Sequence, residues 1–262
     1  YGRIFVKRLR RATSGGDILR IKLVIQYDGT DFCGWQIQAG DRTVQEEIEK
    51  AVTRLTGEKV NLVGSGRTDS GVHAERQTAH FDVSATVPPE KYAAALNPLL
   101  PADVKILESA AAEEGFHARF SAKRKTYEYR LYVSETTLPL KERYATRVPA
   151  PLDVKKMREA CAYLLGKHDF KCFLASNSSV KDTVREIYSA DMGESGNDIS
   201  FTVCGNGFLY NMVRIIVGTL VKIGEGKIPP EAMKDIIDGK NRGLAGKTMP
   251  AKGLTLKNAE YE

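Results

Sequence analysis

The chain has 262 residues, 42% hydrophobic, 27% charged and 8% aromatic, enough for one large or two small cores and unlike disordered or collagen-like sequence. Its longest apolar run, residues 215–221, is interrupted by Gly218 and Thr219 and closed by Lys222, which excludes a transmembrane helix of about 20 apolar residues. Net charge is +6, but residues 1–20 hold six basic residues against one acid, so the other 242 carry 33 basic and 32 acidic residues. Nucleic-acid binding by the body would therefore have to rest on local clusters of charge. Cys33, Cys161, Cys172 and Cys204 form no C-x-x-C pair, which argues against a zinc ribbon or a disulfide scaffold and for a reducing compartment.

Residues 1–20 lack periodicity and contain Ser14-Gly15-Gly16; they are expected to be a flexible basic tail. From Ile21 the residues alternate as a strand that Asp28-Gly29 ends. Thr43 and Glu46 then have capping-box spacing ahead of Val44, Ile48, Val52 and Leu55, and Gly57 stops the helix. Residues 59–63 and 77–83 read as strands, the second with Ala79, Phe81 and Val83 inward and His80 outward toward solvent. Pro88-Pro89 opens a helix running to Asn97-Pro98, and residues 104–107 read as a strand. The order is β-α-β-β-α-β, the ferredoxin-like unit.

The second half repeats that order loosely. Residues 125–133 alternate, and residues 153–165 read as a helix with Val154, Met157, Cys161 and Leu164 inward and Gly166 at its end. Strands follow at 184–190 and 199–204, then a strongly amphipathic helix marked by Leu209, Met212, Val213, Ile216, Val217 and Leu220. A short helix at 230–238 and a strand at 254–261 complete the chain. The expectation is an α+β protein of two ferredoxin-like halves, residues 21–112 and 113–262, with largely antiparallel sheets.

Several functional motifs fail on their own chemistry. The stretch from Gly64 to Gly71 has Asp69 where G-x-G-x-x-G needs glycine, and Val72 where a Walker loop needs lysine. The four histidines have no metalloprotease spacing, and no G-x-S-x-G elbow exists. The segment from Phe116 to Arg130 is more informative: five Lys/Arg against one acid, interleaved with four aromatics. Cations there could neutralise phosphates while rings stack unpaired bases, although an ordinary strand with inward tyrosines has the same composition. Asp69, followed by Ser70-Gly71, reads by itself as a turn residue.

Ordered motifs change that reading. Tyr27-Asp28-Gly29-Thr30, Gly34-Trp35-Gln36, the run from Gly66 to Ala74, Phe116-His117-Ala118-Arg119-Phe120, Tyr127-Glu128-Tyr129, His168-Asp169-Phe170, Asn211-Met212-Val213-Arg214 and Pro250-Ala251 with Gly253-Leu254 occur in sequence. Together they resemble the TruA family of tRNA pseudouridine synthases from about residue 21 to 261. Thr255 departs from the pattern, standing where the family often has tyrosine. The resemblance implies two ferredoxin-like halves around a central basic cleft. It also implies an isomerase that converts uridine to pseudouridine at positions 38, 39 and 40 of the tRNA anticodon stem-loop. Such an enzyme needs no cofactor or metal, is cytoplasmic, and acts as a homodimer whose subunits both touch one tRNA.

By the same resemblance Asp69 is the catalytic carboxylate, Arg214 its ion-pair partner and Tyr127 the stacking residue for the target base. Arg67 is expected to hold the flipped state, and Lys123, Arg124 and Lys125 to contact phosphates, with Arg119 and Arg76 as further candidates. The rival reading is a non-catalytic RNA-binding protein, since ferredoxin-like sheets with aromatics also bind single-stranded RNA.

Overall fold

The structure, a computed structural model, describes residues 18–84, 87–149, 151–175 and 180–262. The first half runs β1 (Ile18–Tyr27), α1 (Val44–Thr56), β2 (Val63–Gly64), β3 (His73–Ser84), α2 (Tyr92–Leu96) and β4 (Val104–Ala111). The second runs β5 (Arg124–Val133), β6 (Thr146–Val148), α3 (Val154–Cys161), β7 (Gly166–Asp169), β8 (Val184–Ser195), β9 (Asp198–Gly205), α4 (Met212–Gly224), α5 (Ala232–Gly239) and β10 (Leu254–Glu260). None of the described helices is long and apolar enough to cross a membrane.

The strands form one sheet in the order β4-β1-β3-β10-β5-β9-β8-β7, with β2 beside β3 and β6 beside β5. Its ladders are antiparallel except β10 with β3 and β5 with β6. The β3–β10 ladder is the seam between the halves, and its register matters for function. Leu256 of β10 lies opposite Ala74 of β3 on one side and Tyr127 of β5 on the other. That row places Tyr127 beside the chain that enters β3 at His73. One buried apolar cluster spans both halves, from Ile21, Phe81 and Tyr92 to Phe201, Ile216 and Leu256.

Local chemistry explains several element ends. Thr43 caps α1 by accepting a hydrogen bond from the Glu46 amide, and Gly57 ends the helix in the left-handed region at φ 79°. Asp153 caps α3 by accepting from the Lys156 amide. α4 packs against β5 and α3; it starts at Met212 and is buried along nearly all its length instead of on one face as the amphipathic reading expected, because neighbours cover it on several sides.

Some expectations need correction. The strand expected at 59–63 shrinks to Val63–Gly64, because the Leu62 amide donates to Glu49 Oε1 on α1 instead of to a ladder. β1 starts at Ile18, three residues early: Ile18, Leu19 and Arg20 already pair with Ser84, Val83 and Asp82, and the Arg20 guanidinium grips the Asp82 carboxylate. The rest of the expected tail, residues 1–17, lies outside the described residues. His80 is buried, not solvated, at 4% exposure. The outer face of β3 is covered by the chain at 116–118, and His80 Nδ1 accepts the Ala118 amide at 3.1 Å. The helix at 153–165 is α-helical only to Cys161, then tightens into a 3-10 turn. The short strands β6 and β7 carry too few residues for alternation to reveal them.

Candidate active site

The loop between β2 and β3 is held from beneath by the segment that follows β1. Thr68, buried, shares a hydrogen bond with the Tyr27 hydroxyl at 2.8 Å, and the Trp35 amide donates to the Thr68 carbonyl at 3.0 Å. Ser70 Oγ and the Gly71 amide both reach the Phe32 carbonyl. Gly34, at φ +87°, lies so close that a Cβ on it would stand 2.6 Å from the Thr68 oxygen; only glycine allows that approach. The Tyr27-to-Gln36 motifs are therefore the floor on which the Asp69 loop rests.

Asp69 emerges from this loop toward α4. Arg214, in the first turn of α4, places Nη1 3.0 Å from Asp69 Oδ2. Its side chain is 17% exposed and that of Asp69 23%. Two further bonds aim the guanidinium: Nη1 donates to Asn211 Oδ1 at 2.6 Å, and Nε to the Met249 carbonyl at 2.7 Å. Asn211 itself is in the left-handed conformation at φ 61°, where asparagine is tolerated better than most residues. A cation in the first turn of a helix is disfavoured by the positive end of the dipole; the Asp69 charge offsets that. Burial pushes the Asp69 carboxyl above its ordinary range, and the nearby Arg214 charge and hydrogen bond only partly counter it.

Tyr127 completes the group. It is 8% exposed, its ring lies edge-on to Phe208 with centroids 5.1 Å apart, and burial together with the Asp69 charge pushes its phenol well above the ordinary value. The hydroxyl stays protonated near neutrality and is a donor, not a phenolate base.

The structure thus brings Asp69, Arg214 and Tyr127 together from three distant stretches of chain. The expected RNA contacts divide. Arg67 is exposed two residues before Asp69 and donates to Gln36 Oε1. Arg119, Lys123 and Arg124 are exposed; Arg119 lies by the Phe120 ring and Arg124 over the Tyr188 ring. Lys125 is half-buried and donates to the Ser65 carbonyl at 2.6 Å, pinning the loop that leads to Asp69. Burial, with Arg119 and Arg185 nearby, lowers its ammonium to about 8. Arg76 pairs with Glu108 at 2.6 Å and makes no hydrogen bond or ion pair with the Asp69 loop.

Sequence reasoning missed the residues that aim these groups: Asn211 and Met249 behind Arg214, Phe208 beside Tyr127, and Gln77, which accepts from Ser65 Oγ and donates to the Gly66 carbonyl. Asn211 falls inside a quoted motif and Phe208 lies three residues before it; a polar Gln77 on the inward face of β3 was the one further signal.

Comparison with known proteins agrees with this arrangement. A family model described as tRNA pseudouridine synthase matches residues 23–121 and 160–262. A Bacillus pumilus protein named tRNA pseudouridine synthase A is 46% identical over 246 residues, 93% of this chain and 100% of that protein. A Clostridium acetobutylicum protein of the same name is 46% identical over 241 residues, covering 92% and 99% of the two chains. A solved archaeal box H/ACA Nop10–Cbf5 complex aligns with a TM-score of 0.37 and 10% identity over 90% of this chain and 47% of that one, too distant to bear on the site.

Proposed function

The chain belongs to the tRNA pseudouridine synthase family, and from that premise we propose how its cleft isomerises uridine in tRNA. The reaction breaks the N1–C1′ glycosidic bond, turns the freed uracil and joins C5 to C1′. The C5 proton leaves and N1 gains one, so atoms balance without donor or acceptor. Asp69 is the group that acts at the ribose or the base, as nucleophile or as proton acceptor, dividing one difficult step into easier ones. Arg214 keeps it ionised and aimed against the pull of burial. Tyr127 is the platform for the target base, with Phe208 fixing its ring.

The substrate positions we assign are 38, 39 and 40 of the anticodon stem-loop. A uridine there must leave the stack, at a cost of a few kcal/mol. Arg67, exposed at the rim, props the vacated space; Arg119, Lys123, Arg124 and Lys125 face the phosphates, with Arg76 beyond them. The strand orders β4-β1-β3-β2 and β10-β5-β9-β8 support reading each half as a ferredoxin-like unit, residues 21–112 and 113–262. We also propose a homodimer in which one tRNA touches both subunits.

The observation that carries the reading is the Asp69–Arg214 pair beside Tyr127. A binding module has no need of a desolvated carboxylate, which would repel RNA. The test uses tRNA with tritium at uridine C5. Rebonding through C5 expels that hydrogen, so tritium enters water from anticodon-arm uridines; no release from any of them overturns the reading.

A further inference from the structure

A group of cations beside the Tyr127 platform has no anionic partner. Among the described residues, Lys125, Arg119 and Arg185 form no salt bridge with a carboxylate, although many of the chain's other lysines and arginines do. Lys125 donates only to the Ser65 carbonyl, and Arg185 only to the carbonyls of Asp182 and Val184.

The sheet register explains how they meet. Lys125 lies opposite Gly205, and Gly205 opposite Ile187, so these three share one face of the sheet. Arg185, two residues before Ile187, and Tyr127, two after Lys125, project from that same face. Gly205 lets its neighbours close over the middle of the row: a Cβ there would stand 2.9 Å from Ile187 Cδ1 and 2.7 Å from the Glu186 carbonyl oxygen. Lys125 and Arg185 stand on the two strands that flank Gly205, near enough for the Arg185 charge to act on the Lys125 ammonium. Phe208, which buttresses Tyr127, closes the same corner.

We infer that Lys125 and Arg185, with Arg119 above them, form a seat for the phosphodiester flanking the extruded uridine. Like charges gathered without a counterion are costly, and an RNA phosphate supplies the missing charge. Arginine suits the task, because its fork matches two phosphate oxygens. The depressed ammonium of Lys125 is consistent with this, since Arg119 and Arg185 are both close enough to repel it. The Lys125 bond to Ser65 gives the seat a second consequence: the residue that would hold the phosphate also holds the loop carrying Asp69. Arg185 is thereby assigned to the substrate site, though no sequence motif marks it. The inference rests on Tyr127 being the base platform.

The test is a set of anticodon stem-loop RNAs, each with one backbone phosphate replaced by a neutral methylphosphonate, and each with tritium at uridine C5. With the wild-type enzyme, one replacement next to the target uridine should weaken binding about tenfold, typical of a lost charge-assisted hydrogen bond. Arg185→Met should weaken binding of the unmodified RNA by a similar factor and lose sensitivity to that one replacement. Its slope of log affinity against log salt should fall by about 0.7–0.9, one released counterion. Arg185→Lys should recover part of the affinity. A wild-type enzyme indifferent to every replacement near the target, or an Arg185→Met variant with unchanged affinity and slope, overturns the seat. So does a weakened variant that still senses the same replacement. If Arg185→Met proves unfolded by circular dichroism, the wild-type scan and Arg185→Lys decide alone. Tritium release on the same RNAs keeps the two readings apart: its absence from the wild-type enzyme counts against the catalytic reading, whereas release without phosphate sensitivity counts only against the seat.

Discussion

Arg214 Nη1 and Asp69 Oδ2 meet at 3.0 Å although 145 positions separate them, and both belong to surfaces most of which exclude water. The pair is the contact through which the second half of the chain controls the charge of the first half's carboxylate. The pair, the Tyr127 ring beside it and the more distant His80 give four measurable outcomes.

Asp69→Asn should keep tRNA binding and lower turnover by at least about 10²–10⁴-fold, the range for loss of a positioned acid–base group. The folded carboxyl has a raised pKa, so its contribution favours folding in acid and is lost as pH rises through the folded value. The variant should therefore gain stability relative to wild type as pH climbs through that region, read as the difference in Tm across a pH series.

Arg214→Met leaves a half-desolvated carboxylate without its cation. Removing one partner of a fully buried pair costs about 3–5 kcal/mol; with 17% and 23% exposure, a loss of about 2–3 kcal/mol is expected in urea unfolding. The acid limb of the pH–rate profile should move upward, because burial then acts on Asp69 unopposed. Arg214→Lys should restore part of the profile but not the bonds to Asn211 and Met249.

Tyr127→Phe and Tyr127→Leu separate ring from hydroxyl. The phenylalanine variant keeps the platform and should bind tRNA as wild type does; the leucine variant should lose about 1–3 kcal/mol of stacking. A fall in kcat in Tyr127→Phe with binding unchanged measures what the protonated hydroxyl donates. Equal binding by both variants would show that the ring does not stack on the target base.

His80 carries a pH signature remote from the chemistry. Burial, then repulsion from Arg20 and His117, lowers its folded pKa from 6.5 to about 4. The unfolded chain takes up a proton below about 6.5 that the folded chain refuses, so stability falls as pH drops from there toward 4. His80→Gln, which can still accept the Ala118 amide, should show a smaller loss of urea stability over that window than wild type.

Much of this architecture was legible before any coordinates. Elements with strong periodicity or explicit caps (α1 behind Thr43, α4 with its apolar face, β5 with its alternating tyrosines) fall where their residues put them, because those signals are local. His80 was misread because alternation says which residues share a face, not what covers that face. Lys125 was expected from the family resemblance to contact a phosphate; its bond to Ser65 depends on a loop 60 positions away.

The sequence by itself determined which residues could do chemistry, their order, and the helix and strand periods that carry them, since each is a property of neighbours along the chain. Only the tertiary structure decided that Asp69 is desolvated yet paired, that β10 sets Tyr127 beside the Asp69 loop, and that Arg185 shares a sheet face with Lys125. Those facts depend on the register between strands and on which surfaces lose water together, and packing across the whole sheet settles both.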